Sequence, residues 1–187
     1  MAYEAVWRIS EFKSQDISMT AWSFATVRLS NRPLFASLAS AACSSIAEFQ
    51  PQELANTAWA FAKIFYLDAP LLASISSAAL NRISQFSAQE VANISWAVAT
   101  FGVRDCPLMA ALCCAVVASI SQLSPQNLAN TAWSLAKGRV ADATLLESLA
   151  SAAINKICEF DQQGCGNLAW AFATLSVNNV PLLEAMS

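Results

Sequence analysis

The chain has 187 residues, of which 56% are apolar and only 12% are charged, and its formal net charge is −3. Soluble domains typically carry roughly 25% charged residues, so this composition predicts that much of the chain is buried. A net negative charge excludes a global attraction to nucleic acid or to an anionic lipid surface.

A tryptophan recurs every 37 residues and divides the chain into similar repeats. The series is Trp22, Trp59, Trp96, Trp133 and Trp170. Four prolines keep the same step, and Thr144 takes the missing place: Pro33, Pro70, Pro107 and Pro181. A fixed period of this length is typical of a solenoid. We expect one solenoid segment over residues 1–187, part of a longer array. Its repeats cover about 13–49, 50–86, 87–123, 124–160 and a partial 161–187, and residues 1–12 end a preceding repeat.

Each repeat predicts two antiparallel helices. Within 50–86, Pro51 opens an amphipathic helix, and Pro70 opens a second one after a short connection. By the same pattern, first helices run near 14–27, 51–65, 88–101, 125–137 and 162–175. Second helices run near 33–47, 70–85, 107–122 and 144–159. An Asn or Asp stands two residues before each proline position and predicts an N-cap: Asn31, Asp68, Asp105, Asp142 and Asn179. No strand pattern occurs, so the predicted fold class is all-α, a helix-pair repeat solenoid (α-α superhelix).

The tryptophans fall on the apolar side of the first helices. Trp59 shares that side with Phe61 and several alanines. Because small side chains let helices approach closely, we expect each indole ring to fill a gap inside the stack. On this interpretation Trp96→Ala costs about 3–5 kcal/mol of stability, and no aromatic ring faces the polar side for base stacking.

The opposite, polar side of the first helices repeats in ranks. The first rank is Met19 in the first repeat and asparagine in the others: Asn56, Asn93, Asn130 and Asn167. The second alternates threonine and lysine: Thr26, Lys63, Thr100, Lys137 and Thr174. The third includes Glu53 and Glu90, and the fourth is small: Ser23, Ala60, Ala97, Ser134 and Ala171. Such a ladder can present one set of side chains per base. The asparagine amides either bond a neighbouring repeat or turn, or contact RNA. The second rank is either a solvated face or a phosphate and base contact.

The phrase PQELANTAWAFAK, from Pro51 to Lys63, recurs from Pro125 to Lys137 as PQNLANTAWSLAK. It resembles the octotricopeptide repeat, a helix-pair family of organelles, and the period of 37 is similar to that of the related heptatricopeptide class. The resemblance implies a location in the chloroplast or mitochondrion and single-stranded RNA as a partner. It also implies roles in transcript stabilisation, processing or translation, or as a ribosome component.

Electrostatics favours an alternative to RNA binding. The polar face of the first helices offers Lys63 and Lys137 against Asp16, Glu53 and Glu90, whereas phosphate neutralisation supplies most nonspecific affinity for nucleic acid. We therefore also consider a protein–protein scaffold subunit of a large organellar assembly, such as a ribosome or a photosynthetic complex.

Catalysis, cofactor and metal binding are not expected. Histidine is absent and no cysteine pair has zinc-site spacing, so the usual general base and the usual zinc ligands are lacking. The longest strongly apolar run, Pro107 to Ile120, is shorter than the roughly 20 residues that span a bilayer. We expect no enzyme activity, no cofactor, no metal and no membrane insertion.

Overall fold

A computed structural model describes residues 7–102 and 107–186. Within these ranges the regular elements are α-helices and short 3₁₀ turns, and no residue is in a strand. The predicted all-α helix-pair repeat fold is confirmed. Two compact units make up the chain, Met1–Phe86 and Ser87–Ser187, and we call them the N-terminal and C-terminal units. Their boundary coincides with a predicted repeat boundary.

The N-terminal unit contains four α-helices that alternate between first and second helices of the repeats. They are α1 (Ser14–Thr26), α2 (Arg32–Ser45), α3 (Pro51–Lys63) and α4 (Ala69–Leu80). The 3₁₀ turns of this unit are Ile9–Glu11, Ile46–Glu48 and Ile83–Gln85. An edge-to-face contact between Phe35 and Phe61, with ring centroids 5.0 Å apart, joins α2 to α3.

The C-terminal unit continues the same alternation. Its helices are α5 (Ala88–Thr100), α6 (Pro107–Ser119), α7 (Pro125–Gly138), α8 (Ala143–Asn155), α9 (Gln162–Thr174) and α10 (Val180–Ala185). The 3₁₀ turns are Ile120–Gln122 and Ile157–Glu159. Odd-numbered helices are first helices and even-numbered helices are second helices throughout.

The first helices end within two residues of their predicted bounds, but the second helices end earlier than predicted. The helix predicted over 70–85 stops at Leu80, and a separate 3₁₀ turn follows at Ile83–Gln85. Equivalent turns in other repeats place Phe49 and Leu123, the residues that follow them, in extended backbone with fully buried side chains. The turn therefore delivers an apolar side chain to the core. Apolar periodicity does not separate one turn of 3₁₀ helix from an α-helical end.

The predicted N-caps of the second helices are confirmed. Asn31, Asp68, Asp142 and Asn179 each accept a hydrogen bond from the backbone N–H three residues later, at 2.9–3.0 Å. This bond satisfies one of the amides left unpaired at a helix start. Asp105 lies outside the described residues.

Within each unit the first helices contact one another more extensively than the second helices do. Helix α7 packs between α5 and α9, and it is therefore covered on two sides by other first helices. As a result Ser134 is buried, as are its equivalents Ala60, Ala97 and Ala171. The interpretation of this fourth rank as polar surface is wrong for those repeats, because a wheel drawn for one helix shows only one buried side.

Long basic side chains connect successive repeats inside each unit. The Arg82 guanidinium donates to the backbone carbonyls of Ala47 and Phe49, at the 3₁₀ turn one repeat earlier. Lys156 does the same in the C-terminal unit, where its Nζ lies 2.6 Å from the Leu123 carbonyl oxygen and 3.2 Å from that of Ser121. Charge-assisted bonds of this kind hold the turn against the next second helix.

Candidate nucleic-acid interface

Three kinds of side chain share one face of α3, α5, α7 and α9, whereas α1 has Met19 in place of the asparagine. An asparagine, a tryptophan and a lysine or threonine stand at positions i, i+3 and i+7, as in Asn56, Trp59 and Lys63 of α3. Because residues three and four apart are neighbours on a helix, these side chains form a continuous stripe. We call this stripe the amide–indole face.

In the C-terminal unit the indoles of this face form a ladder. The ring centroids of Trp96 and Trp133 are 6.1 Å apart, and those of Trp133 and Trp170 are 6.2 Å apart, each pair inclined by 30°. Trp170 is 46% exposed and Trp22, in the N-terminal unit, is 40% exposed, while Trp59, Trp96 and Trp133 are half-buried. The prediction that the tryptophan column lies inside the stack is wrong, since the rings lie at the surface.

The reason is the position of the tryptophan relative to the asparagine. Three residues separate Asn93 from Trp96, which places them only about 60° apart on an α-helix. Alanines such as Ala92 and Ala99 already fill the contact between first helices, so the larger ring is displaced to the rim of that contact. The sequence signal for this arrangement is the constant three-residue spacing of asparagine and tryptophan, which places each indole beside a polar side chain.

The asparagine amides form no hydrogen bond within the part of the chain that the structure describes. Asn56, Asn93, Asn130 and Asn167 are all half-buried, and no hydrogen bond joins any of these side chains to another described residue. The expected bond to a neighbouring repeat or turn is therefore not formed. Each amide offers two donors and an acceptor beside an indole ring.

The second rank consists of lysines, which contact the tryptophan rings, and threonines, whose hydroxyl groups differ in their surroundings. Lys63 Nζ lies 5.6 Å from the Trp59 ring centroid, and Lys137 Nζ lies 5.7 Å from that of Trp133. Both distances are within the range of a cation–π interaction. Among the threonines, Thr26 donates to the Trp22 carbonyl at 2.8 Å, the buried hydroxyl of Thr100 has no partner, and Thr174 is exposed.

The acidic residues of the third rank cap their helices. Glu53 accepts a hydrogen bond from the Gln50 backbone N–H at 2.8 Å, and Glu90 accepts one from that of Ser87 at 2.7 Å. A carboxylate in the first turn also interacts favourably with the helix dipole. Both groups therefore stabilise the start of α3 and α5, and their contact with a ligand stays a prediction.

The amide–indole face suits unpaired bases better than a phosphate backbone. Each exposed indole presents a ring face for stacking, which is tolerant of base identity. A base inserted between two rings needs a separation of about 7 Å, twice a van der Waals contact, so the observed spacings must open by roughly 1 Å to admit one. Stacking on the exposed part of the Trp170 ring needs no such movement.

The described residues were also compared with the requirements of a metal site, a disulfide and a membrane span. No group of three or more Cys, Asp and Glu side chains gathers there as a potential metal site. The cysteines within the described ranges are free thiols. No helix of those ranges has both the length and the apolar character to cross a bilayer.

Comparison with known families agrees with a helical, RNA-associated protein. A family model described as RNA-editing substrate-binding complex 6 protein matches residues 1–106, more than half of the chain. The chain belongs to this family. A second family model, described as a protein of unknown function, matches residues 109–131 of the chain. A search of curated proteins found no match to the chain. The likeness to octotricopeptide repeats stays a resemblance.

Proposed function

We propose that this protein is a non-catalytic binder of single-stranded RNA and that the amide–indole face is its binding surface. The observation that carries the proposal is the ladder of Trp96, Trp133 and Trp170. Asparagine amides that bond to no other described residue flank this ladder. Base–aromatic stacking contributes about 1–3 kcal/mol per base. Membership of a family described by RNA-editing substrate binding supports the same conclusion.

Each residue type of the face has a different role in this proposal. The indoles stack on bases, while Asn93, Asn130 and Asn167 hydrogen-bond base edges or the ribose. Because the asparagine is the same in these repeats, it does not discriminate bases. The alternation of Thr100, Lys137 and Thr174 supplies the difference between repeats.

Few cations line the face, so its affinity depends weakly on salt. Each phosphate neutralised on a single strand contributes a slope of about −0.7 in log affinity against log salt, and Lys137 is the single lysine of this face among the described residues of the C-terminal unit. We expect a slope of about −1 or shallower. A steep slope would indicate a basic surface elsewhere on the protein.

A binding titration tests the proposal directly. Fluorescence anisotropy of labelled oligouridine should show binding, and an abasic strand with the same backbone should bind at least about tenfold more weakly, because one lost stacking contact accounts for that ratio. Trp133→Leu should weaken oligouridine binding. The matched control is Trp7→Leu, since Trp7 is 84% exposed and lies outside the ladder. Equal binding of the abasic strand would contradict the proposal.

A scaffold role is the second candidate function, and the charge of the chain favours it. The net charge is −3, and both described lysines of the face, Lys63 and Lys137, already lie over indole rings. No oligouridine binding at tens of micromolar, a range that covers typical nonspecific affinities, would favour a scaffold subunit of an organellar assembly. A location in the mitochondrion or chloroplast is proposed on the octotricopeptide resemblance.

A further inference from the structure

The connection after every first helix passes through a left-handed residue. The five residues occupy the same place in successive repeats, with φ between 55° and 71°: Arg28, Phe65, Gly102, Arg139 and Ser176. After four of these residues, all except Gly102, the next backbone N–H donates to the carbonyl five residues earlier, as Tyr66 N does to the Phe61 carbonyl at 3.0 Å. This is the Schellman pattern that ends many helices, in which glycine is usual.

Phe65 is the unexpected member of this series. A bulky side chain in the left-handed region is an outlier, and this ring is also 80% exposed. The fold gains nothing from the side chain there, because Gly102 occupies the equivalent position. Strain retained at an exposed site indicates a function for the side chain.

Other exposed apolar side chains lie on the connection of Phe65 and on the preceding connection of the N-terminal unit. Leu67 follows it on the same connection, and Val27 and Leu29 are exposed on the connection of the preceding repeat. The two connections are joined where the Arg32 guanidinium lies over the Tyr66 ring, 5.9 Å from its centroid. We call this surface the connection edge; it consists of Val27, Arg28, Leu29, Arg32, Phe65 and Leu67.

The connection edge combines apolar area with positive charge. Arg28 and Arg32 are exposed, whereas the nearby carboxylate of Asp68 is engaged by the Leu71 backbone N–H at 3.0 Å. Arginine and aromatic residues are enriched at protein interfaces, and a guanidinium binds a carboxylate through two parallel hydrogen bonds. We propose that the connection edge docks an acidic segment of a partner protein, whose apolar side chain packs on Phe65 while its carboxylates pair with Arg28 and Arg32.

A protein segment fits this surface better than RNA does. Three of its four apolar side chains, Val27, Leu29 and Leu67, are aliphatic and offer no face for base stacking. An exposed apolar patch rimmed by charge is typical of a protein interaction site. The proposal does not depend on RNA binding by the amide–indole face.

The test selects peptides from a random display library on the immobilised full chain. Selected sequences should be enriched in Asp and Glu together with large apolar residues. Their affinity should fall by about tenfold or more on Phe65→Gly, as for an interface hot spot, and also on Arg28→Ser. Phe65→Gly relieves the left-handed strain, so its melting temperature should equal or exceed that of the parent chain, and lost binding then cannot be assigned to misfolding. Arg139→Ser, at the same repeat position in the C-terminal unit, is the matched control and should leave binding unchanged.

Three results would overturn the proposal. The first is a selected set without an acidic excess. The second is equal affinity of the selected peptides for the parent chain and for Phe65→Gly. The third is a loss of oligouridine binding on Phe65→Gly without a loss of peptide binding, which would make the connection edge an RNA contact.

Discussion

Thr131 offers the sharpest test of how the first helices pack. Its side chain is 1% exposed, and its hydroxyl has no hydrogen-bond partner among the residues that the structure describes. The equivalent residues of α5 and α9 are Ile94 and Leu168, both fully buried. The position therefore accepts an aliphatic side chain, and Thr131→Val replaces an unpaired hydroxyl by a methyl group of nearly the same size.

The expected effect is a gain in stability. Burying an unpaired hydroxyl costs about 1–3 kcal/mol, and a buried methyl contributes about 0.8 kcal/mol. Threonine and valine have similar helix propensities, so the backbone adds little. We expect Thr131→Val to raise the free energy of unfolding by about 2 kcal/mol or more and Tm by roughly 2–4 °C for each kcal/mol in a chain of this size.

Urea and thermal unfolding followed by circular dichroism measure this change. Thr57→Val should behave alike, because that hydroxyl is also buried without a partner. Thr26→Val is the matched control, since its hydroxyl is exposed and donates to the Trp22 carbonyl, and it should be neutral or destabilising. A loss of more than about 1 kcal/mol on Thr131→Val would show that the hydroxyl has a bound partner and would refute the dry contact between first helices.

Three further predictions concern the connections between repeats and a half-buried thiol. Arg82→Ala should cost about 1.5–3 kcal/mol of unfolding free energy, because it removes charge-assisted bonds to two carbonyls; in urea titrations Arg139→Ala, an exposed control, should be near neutral. Asp142→Ala should cost about 1 kcal/mol through loss of the α8 N-cap, and a Tm equal to that of the parent chain would contradict the capping role. Burial, with smaller contributions from Asp142 and Cys114, raises the pKa of the Cys113 thiol from 9.0 to about 11. The contribution of the Cys113 thiol to stability should therefore be complete below pH 9 and lost as the pH rises towards 11. Iodoacetamide should label exposed Cys114 faster than Cys113 at pH 8. Equal labelling rates of the two cysteines would contradict the raised pKa of Cys113.

The order of the helices and the bounds of the first helices could be predicted because local signals repeat. The Asn and Asp caps mark the starts of second helices, as Asp68 does for α4. Repetition at 37 residues then averages out ambiguity in any single repeat. The 3₁₀ turn at Ile83–Gln85 was missed because its apolar residue keeps the helical spacing for one more turn.

The surface position of the indoles could not be derived from one helix alone. A wheel assigns Trp133 to the apolar side, but the contact between α7 and its neighbours is filled by small residues such as Ala132 and Ala136. The packing of three helices decides which apolar side chains of the middle helix contact its neighbours. The sequence of one helix alone does not determine that packing. The role of Glu90 as a cap was likewise hidden, although Ser87 three residues earlier is a capping-box signature.

Indole N–H resonances measure the central claim most directly. In a two-dimensional NMR titration of the full chain with oligouridine, the signals of Trp96, Trp133 and Trp170 should move together and saturate at one affinity. The signal of Trp7 should stay in place. Saturable binding that leaves these three indoles unchanged would contradict the assignment of the amide–indole face as the RNA-binding surface.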